Sequence, residues 1–524
     1  MAPLSADDYA KLKAAMDTLV FVTAELQTKQ TSLDRLRRLL FGATTEKTRT
    51  ILGRGAAPGA PGPEASPRAE ASPPAAATPR PGHGRTGAAA YTGADTVKIP
   101  HPTLCRADRC PGCIKGKIYP LAEPATLVRI TGMAPLGATV YACERWRCNL
   151  CGEVFTAPAP DGVGPAKYDA TATSMVGLLK YGCGLPFHRI EVLQRGMRIP
   201  LPAATQWGLV RDALPQLGPA WDELLRQAAQ GEVVYNDDTT MTVLALTAEQ
   251  RRAAAADEET DARTGVFTSG IVATGAGHRI ALFFTGRQHA GENLADVLAQ
   301  RAAALAPPIQ MCDALPTNTA GDFDTLLAAC LAHARRRFVD VVDHFPAEVL
   351  HVLDALRDVY RTDALARERA LSPEERLRLH QATSGPLLAD LETWLRQQLD
   401  DHLVEPNSGL GAAITYMLKH WAKLTLFLRV PGAPLDNNVC ERALKKAILH
   451  RKNALFYKTL TGARVGDVFM SLIHTAELNG IAPFEYLVAL QRHHQEVALA
   501  PSQWLPWTYE ATLTALRARA SPSG

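Results

Sequence analysis

The sequence predicts a multidomain α/β protein in which a mixed sheet is interrupted by an all-helical insertion. Its 524 residues correspond to three or four domains at roughly 150 residues each. Over residues 231–342, three short runs of β-branched and aromatic residues precede alternating helical and strand-like segments, which is typical of an α/β layer. Residues 343–431 have a helical pattern throughout, and we expect the sheet domain to resume over 432–490, before a C-terminal tail at 491–524.

Charge and hydropathy argue against a membrane protein and leave the binding partner open. Lys and Arg number 56 against 53 Asp and Glu, a net charge of +3, so any surface for nucleic acid must be local. No apolar run approaches the roughly 18 residues of a membrane span. The start, MAPLSADDYAKLK, carries acids where a signal peptide has an apolar core. We therefore expect a cytoplasmic protein without a membrane partner.

The N-terminal segment carries a leucine repeat. The repeat consists of Leu12, Leu19, Leu26, Leu33 and Leu40. This seven-residue spacing predicts a leucine-zipper-like, coiled-coil helix over residues 1–45 that pairs two copies of the chain as a homodimer. The second set of heptad positions on this helix is partly polar. The alternative to a zipper is therefore a helix that packs on its own chain. Residues 46–97 are rich in Pro, Ala and Gly, which predicts a disordered linker.

Six of the ten cysteines fall between residues 105 and 151. In a reducing compartment such a cluster favours metal ligation over disulfides. The knuckles CPGC and CNLC predict one structural Zn²⁺ in a zinc-ribbon-like domain, 98–158. The predicted ligands are Cys110, Cys113, Cys148 and Cys151. The CxxxxCxxC spacing also fits an iron–sulfur cluster, and the additional Cys105 and Cys143 leave the ligand set partly open.

Residues 159–230 are predicted to be helical. Two or three short helices are separated by the turn-like segment IPLPAA. This arrangement fits a helix-turn-helix DNA-binding region and plain helical packing equally well. Arg145 and Arg147, beside the second cysteine knuckle, favour a nucleic-acid surface in the preceding domain.

Three acids are candidates for a catalytic site. Asp237 ends the strand-like run VVYNDD, Asp313 ends PIQMCD, and Glu441 lies on the helix after the helical block. Carboxylates at strand ends can converge on a pair of Mg²⁺ or Mn²⁺ ions and support phosphoryl transfer, as in an RNase H-like sheet. Each acid also has a structural interpretation as a turn residue or a helix cap. Strand alternation puts Asp237 and Asp238 on opposite faces, so only one can point into the site.

Basic and polar side chains near these acids favour a phosphate ligand. Asn437, Glu441 and Lys445 are spaced so that they share one helical face. The basic run in AHARRRF is a second candidate patch, although it is also compatible with a solvated helix surface. The full set of candidate DNA contacts is Arg145, Arg147, His333, Arg335, Arg336, Arg337, Asn437, Lys445, Arg451 and Lys452.

The motifs follow the order seen in a known family. LRRLLFGATTEK resembles the end of its N-terminal zipper, GHGR its linker signature, and CPGC with RCNLCG its zinc-binding region. CLAHARRRF resembles CWAHARRKF, and LDNNVCERALKKAILHRKNALF with SLIHTAELNGIAPFEYL is similar to the C-terminal signature. Over nearly its whole length the chain resembles the DDE transposases of bacterial insertion sequences, specifically the insertion-sequence-66 family.

This resemblance implies an RNase H-like catalytic domain whose DDE triad is Asp237, Asp313 and Glu441, with two Mg²⁺ per active site. The first motif here is YNDDTT where the common form is HADET, which keeps Asp238 as an alternative first acid. The implied activity is binding of the element's terminal inverted repeats, 3′-end cleavage and strand transfer to target DNA. The resemblance also implies association with the nucleoid and with accessory proteins encoded by the same element.

Two other functions remain compatible with the sequence. One is a non-catalytic DNA-binding protein derived from a transposase, and the other is a nuclease on the same fold that does not join strands. The three acids argue against the first, and only analysis of the reaction products separates the second.

Overall fold

The computed structural model describes residues 166–255, 263–321 and 323–520, with short stretches between 102 and 163. The predicted zipper, the linker and the four expected zinc ligands lie outside the described residues. In the expected zinc domain, the strands β1 (Arg145–Arg147) and β2 (Val154–Thr156) pair as an antiparallel ribbon.

Five strands form one mixed sheet. They are β3 (Val233–Thr240), β4 (Phe267–Gly275), β5 (His278–Gly286), β6 (Ile309–Cys312) and β7 (Leu326–Ala329). Their order is β5-β4-β3-β6-β7, in which β3, β4 and β5 are antiparallel and β6 and β7 run parallel to β3. The prediction of an α/β protein with a mixed sheet is therefore confirmed, and β3 lies at the centre of that sheet.

Helices precede the sheet and connect its strands. They are α1 (Ala170–Gly177), α2 (Phe187–Gly196), α3 (Ala203–Asp212), α4 (Leu214–Ala228), α5 (Leu244–Ala255) and α6 (Ala290–Leu298). A π-helical turn, Leu178–Gly182, continues α1, and a 3₁₀ turn, Pro316–Asn318, follows β6.

The chain after β7 contains further helices. They are α7 (Leu331–Val339), α8 (Pro346–Glu368), α9 (Pro373–Asp400), α10 (Gly409–Lys419), α11 (Trp421–Leu424), α12 (Asn438–Ala454), α13 (Leu460–Leu478), α14 (Pro483–Arg492), α15 (His494–Leu499) and α16 (Tyr509–Ala520). Two 3₁₀ turns, Leu426–Leu428 and Pro501–Trp504, lie between them. Across the described part of the chain, no helix combines the length and apolar character needed to cross a membrane.

The long helices α8 and α9 pack against each other and are tied to the segment that leads into α12. Each begins with proline, and Ser372 and Glu375 form a reciprocal capping box at the start of α9. The Arg376 guanidinium donates to Asp363 at 2.8 Å and to the carbonyl of Ala433 at 2.7 Å. A partly buried ion pair therefore connects the two helices to the chain just before Glu441.

Helix α13 covers the outer edge of the sheet with a row of polar side chains, here called the α13–β5 ladder. Its hydrogen bonds join Thr285 N to Asp467 Oδ2 (2.8 Å), Phe283 N to Ser471 Oγ (3.0 Å), Ala281 N to Thr475 Oγ1 (3.0 Å) and Arg279 N to Asn479 Oδ1 (3.2 Å). Four helical residues rise about 6 Å and two strand residues about 6.8 Å, so successive pairs stay in register. The ladder satisfies backbone donors that an edge strand otherwise leaves exposed.

Helix α6 packs closely on the 3₁₀ turn that follows β6. A β-carbon added at Gly291 would lie 2.0 Å from the carbonyl oxygen of Thr319 and 2.7 Å from that of Thr317. Both neighbours are backbone atoms, which cannot move without displacing the turn. Only glycine allows this approach.

We predict that Gly291→Ala lowers the free energy of unfolding by about 1–3 kcal/mol, because the added methyl group overpacks this contact. Thermal unfolding of the purified chain measures the effect. Gly208→Ala is the matched control, because Gly208 is also helical and has open space around the added β-carbon. That control should raise stability by up to about 1 kcal/mol. Equal effects from the two substitutions would contradict the close contact at Gly291.

Candidate active site

Asp237 and Asp313 lie side by side at one edge of the sheet. Strands β3 and β6 run parallel, with Tyr235 opposite Met311. The same offset continued by two residues places Asp237 opposite Asp313. The amide Nδ2 of Asn318 donates to Asp313 Oδ1 at 2.6 Å and to Asp237 Oδ1 at 3.5 Å. One side-chain amide therefore bridges the two carboxylates.

Glu441 approaches the same edge from the first turn of α12. This helix packs on β4 at Gly270, which is the sheet partner of Asp237. The thiol of Cys440 donates to the Gly270 carbonyl at 3.2 Å, and a β-carbon added at Gly270 would lie 3.0 Å from Leu444. The glycine thus allows the helix to lie close to the sheet and brings the third acid towards the first two.

The three carboxylates form a cluster of negative charge. Burial raises the pKa of Asp237 to about 7, and the charges of Asp313, Asp238 and Glu441 add to the rise, against the lowering effect of a backbone hydrogen bond. A divalent cation would offset this repulsion. The available ligand atoms are carboxylate oxygens, which Mg²⁺ and Mn²⁺ prefer. The residues present therefore fit the expected cation.

Asp238 points away from this cluster. Its Oδ2 lies 2.8 Å from Nδ1 of His289 and accepts a long hydrogen bond, 3.4 Å, from the backbone N–H of Ala290 at the start of α6. The geometry agrees with strand alternation, which sends neighbouring side chains to opposite faces. Of the two acids in YNDD, Asp237 is thus the one beside Asp313.

A second group of possible metal ligands shares Glu441. The thiol of Cys330, the imidazole of His333 and the carboxylate of Glu441 have ligand atoms within 4.8 Å of one another. Burial raises the pKa of Cys330 to about 12, and its sulfur accepts the backbone N–H of Asn437 at 3.2 Å. Because metals bind the thiolate, a thiol that stays protonated is a poor ligand. The oxygen ligands of the three acids are the stronger candidates.

A cavity of about 240 Å³ adjoins Glu441. Its lining includes His333, Arg335 and Arg336 from α7, Asn438 from α12, and Tyr360 from α8. His333 Nε2 lies 3.7 Å from Glu441 Oε1. The helices after β7 thus supply both a basic wall and an aromatic side chain to the space beside the third acid.

A buried amide network joins the segments that carry the acids. Its members are Asn236, Gln310, Asn318 and Asn437, each at most 2% exposed. Gln310 Nε2 donates to Asn236 Oδ1 at 3.0 Å and to the Asn318 carbonyl at 2.7 Å. Asn236 Nδ2 donates to that same carbonyl at 2.7 Å, and Asn437 Nδ2 donates to the Asn236 carbonyl at 3.1 Å.

Comparison with known proteins identifies the family. A family model described as Transposase IS66 family matches residues 166–465. The chain belongs to this family. It is 28% identical over 438 residues to the uncharacterized protein y4jD of Sinorhizobium fredii (strain NBRC 101917 / NGR234), an alignment that covers 80% of each chain. It is 27% identical over 439 residues to the uncharacterized protein y4hP of the same organism, with 79% of this chain and 75% of that one covered.

Membership of the IS66 family supports a role in DNA transposition and the use of a divalent metal. The matched segment contains the whole acid cluster and the basic residues that follow it. The resemblance inferred from sequence motifs is therefore confirmed.

The structure of this IS66-family chain separates the candidate DNA contacts into two groups. Those at the surface or in the cavity are Arg145, His333, Arg335, Arg336, Arg337, Lys445 and Lys452. Asn437 is instead fully buried in the amide network, because its side chain caps the Asn236 carbonyl. Arg451 donates to the hydroxyls of Thr239 and Thr240 at the end of β3, which ties α12 to the sheet. The side chain of Arg147 lies outside the described residues.

Sequence reasoning missed the amide network of this IS66-family chain. Asn236 and Gln310 interrupt the apolar runs VVYN and PIQM, and a polar side chain inside a buried strand needs a partner. That signal was available in the sequence. Asn318 lies in a turn, where a polar side chain is ordinary, and Tyr360 reaches the cavity only because α8 packs beside α7, so neither residue carried a comparable signal.

We predict that Asp237→Asn stabilises the chain when no divalent cation is added. Asn retains the Oδ1 acceptor and removes the charge. The pKa of Asp237 is raised from 3.8 to about 7 in the folded chain. The protonated Asp237 side chain therefore contributes fully to stability below pH 3.8, and this contribution is lost as the pH rises through 7. Above pH 7 the free energy of unfolding of the variant should therefore exceed that of the unsubstituted chain by about 1–3 kcal/mol. This is less than the full pKa shift corresponds to, because the Asp237 carboxylate is partly exposed to solvent.

Thermal unfolding between pH 5 and 8 measures this difference. Asp238→Asn is the control, and it should lower stability because it removes the carboxylate partner of His289. An Asp237→Asn advantage that does not grow with pH would count against the charged cluster.

Proposed function

We propose that this chain is a DDE transposase that binds the terminal inverted repeats of an insertion sequence and catalyses 3′-end cleavage and strand transfer. The observation that carries the proposal is the convergence of Asp237, Asp313 and Glu441 within the segment matched by the family model. The strand order, three antiparallel strands followed by two parallel ones, supports an RNase H-like catalytic domain.

The three acids would hold two Mg²⁺ or Mn²⁺ ions. Bound ions supply activation of a water or a 3′-hydroxyl and charge neutralisation at the leaving oxygen. Asn318 fixes the two aspartates relative to each other by donating to both. His333, Arg335 and Arg336 line the adjoining cavity and would bind DNA phosphate beside Glu441.

The remaining regions would serve recognition and assembly. The helix predicted over residues 1–45 would pair two copies, so that both ends of the element are handled together. One structural Zn²⁺ on Cys110, Cys113, Cys148 and Cys151 would stabilise the domain that contains the β1–β2 ribbon. That domain and helices α1–α4 would contact the terminal repeats, and accessory proteins of the same element would complete the assembly on nucleoid DNA.

We predict that Glu441→Ala abolishes cleavage and strand transfer. Loss of a metal-binding carboxylate removes several kcal/mol of transition-state stabilisation, which is a decrease of roughly 10³-fold or more. The purified chain is incubated with Mg²⁺ or Mn²⁺ and DNA carrying the ends that flank its gene. Sequencing of the products maps 3′ cuts and strand-transfer joints. Asp237→Asn should behave like Glu441→Ala, whereas Asp238→Asn should retain cleavage.

Each contrary outcome is distinct. Joints that survive Glu441→Ala would overturn the assignment of the third acid. Cuts without joints would indicate a nuclease. Tight binding to the ends without cleavage, after the neighbouring gene products of the element are added, would indicate a non-catalytic DNA-binding protein.

A further inference from the structure

A group of basic side chains lies on α7, α10 and α11, and the stretch that contains α10 and α11 has no acidic residue. Residues 406–435 contain neither Asp nor Glu. Lys419 ends α10, Lys423 lies on α11, and both are exposed. His420 lies between them at the junction of the two helices. Together with Arg337 of α7, these residues form what we call the α10–α11 cation cluster.

Aromatic stacking holds this cluster together. The Arg337 guanidinium lies over the ring of Tyr416 at 3.8 Å from the centroid, and the Tyr416 and His420 rings are 4.8 Å apart. Burial lowers the pKa of His420, and the nearby charges of Lys419, Lys423 and Arg337 lower it further. No ion pair in the described part of the chain joins Lys419, Lys423 or Arg337 to an acid.

The cation cluster lies beside Asp313, at the edge of the sheet that carries the acids. Helix α11 packs against β7, which is the neighbour of β6 in the sheet. Burial raises the pKa of Tyr416 on α10, and the nearby charge of Asp313 raises it further. The cavity with Arg335 and Arg336, by contrast, adjoins Glu441. The acids therefore have basic side chains next to both the second and the third carboxylate.

Concentrated positive charge without acidic partners raises the free energy of the chain until an anion binds. Two exposed ammonium groups, Lys419 and Lys423, and the stacked guanidinium of Arg337 present several cations on one surface, which suits a ligand with several negative charges. We propose that the α10–α11 cation cluster binds the DNA phosphate backbone beside Asp313. This inference rests on the proposed function and adds a DNA-binding surface supplied by the helical insertion.

The test uses the full-length chain with the Glu441→Ala substitution, so that binding is measured without cleavage. A double variant, Lys419→Gln with Lys423→Gln, is titrated with element-end duplex and with unrelated duplex over a range of salt concentrations. The slope of log affinity against log salt concentration should fall by about two, roughly one for each lost phosphate contact. Lys419→Arg with Lys423→Arg should restore the slope.

The charge-matched control is Arg361→Gln with Arg396→Gln. These arginines lie on α8 and α9 and are already paired with Asp358 and Glu392, so their loss should leave the slope unchanged. A smaller slope on both duplexes supports backbone binding of any DNA, including the target. A smaller slope on the element ends alone supports binding of the backbone of the element end.

An unaltered slope on both duplexes overturns this inference and leaves the catalytic proposal standing. A complete absence of DNA binding by the otherwise unsubstituted chain overturns both. A fall of equal size in the Arg361 and Arg396 control overturns the specific role of the cluster, because it indicates a general effect of net charge.

Discussion

The buried amide network is the constraint on which the candidate site depends. Asn236, Gln310 and Asn437 lie one, three and four residues before Asp237, Asp313 and Glu441, respectively. Asn318 contacts two of the three acids directly. A buried amide that loses its partner costs about 1–3 kcal/mol, so the network strongly favours one relative position of the three segments. Hydrogen bonding between neutral groups thus brings together side chains whose charges repel.

In this arrangement, different side chains stabilise the fold and form the candidate catalytic site. The hydrogen bonds that Asn236, Gln310 and Asn437 donate within the network all reach amide or carbonyl oxygens, and with the apolar core they hold β3, β6 and α12 in place. The acids themselves oppose folding when they are all ionised, as the raised pKa of Asp237 indicates. A cation that binds between the carboxylates relieves this repulsion, and local destabilisation of this kind is common at catalytic centres.

The sequence predicted the mixed sheet, the helices after it and the family, because each depends on local periodicity or on ordered motifs. The positions of Asp237 and Asp313 at strand ends followed from the same patterns. The contacts that join these segments did not, since they form only when residues about 80 to 200 positions apart meet, as in the pairs Asn236–Asn318 and Asn437–Asn236. Asn437 shows what helical spacing cannot predict. The spacing placed it on the same helical face as Glu441, but in the fold its side chain is fully buried and bonds to the Asn236 carbonyl.

The α13–β5 ladder also restricts how copies of this chain can assemble. Exposed edge strands allow proteins to join by adding strands across a shared sheet. Here the outward N–H groups of β5 already bond to side chains of α13 and its cap, so a second copy finds no free row of donors along that edge. Copies of this chain that associate must therefore do so through surfaces other than the β5 edge.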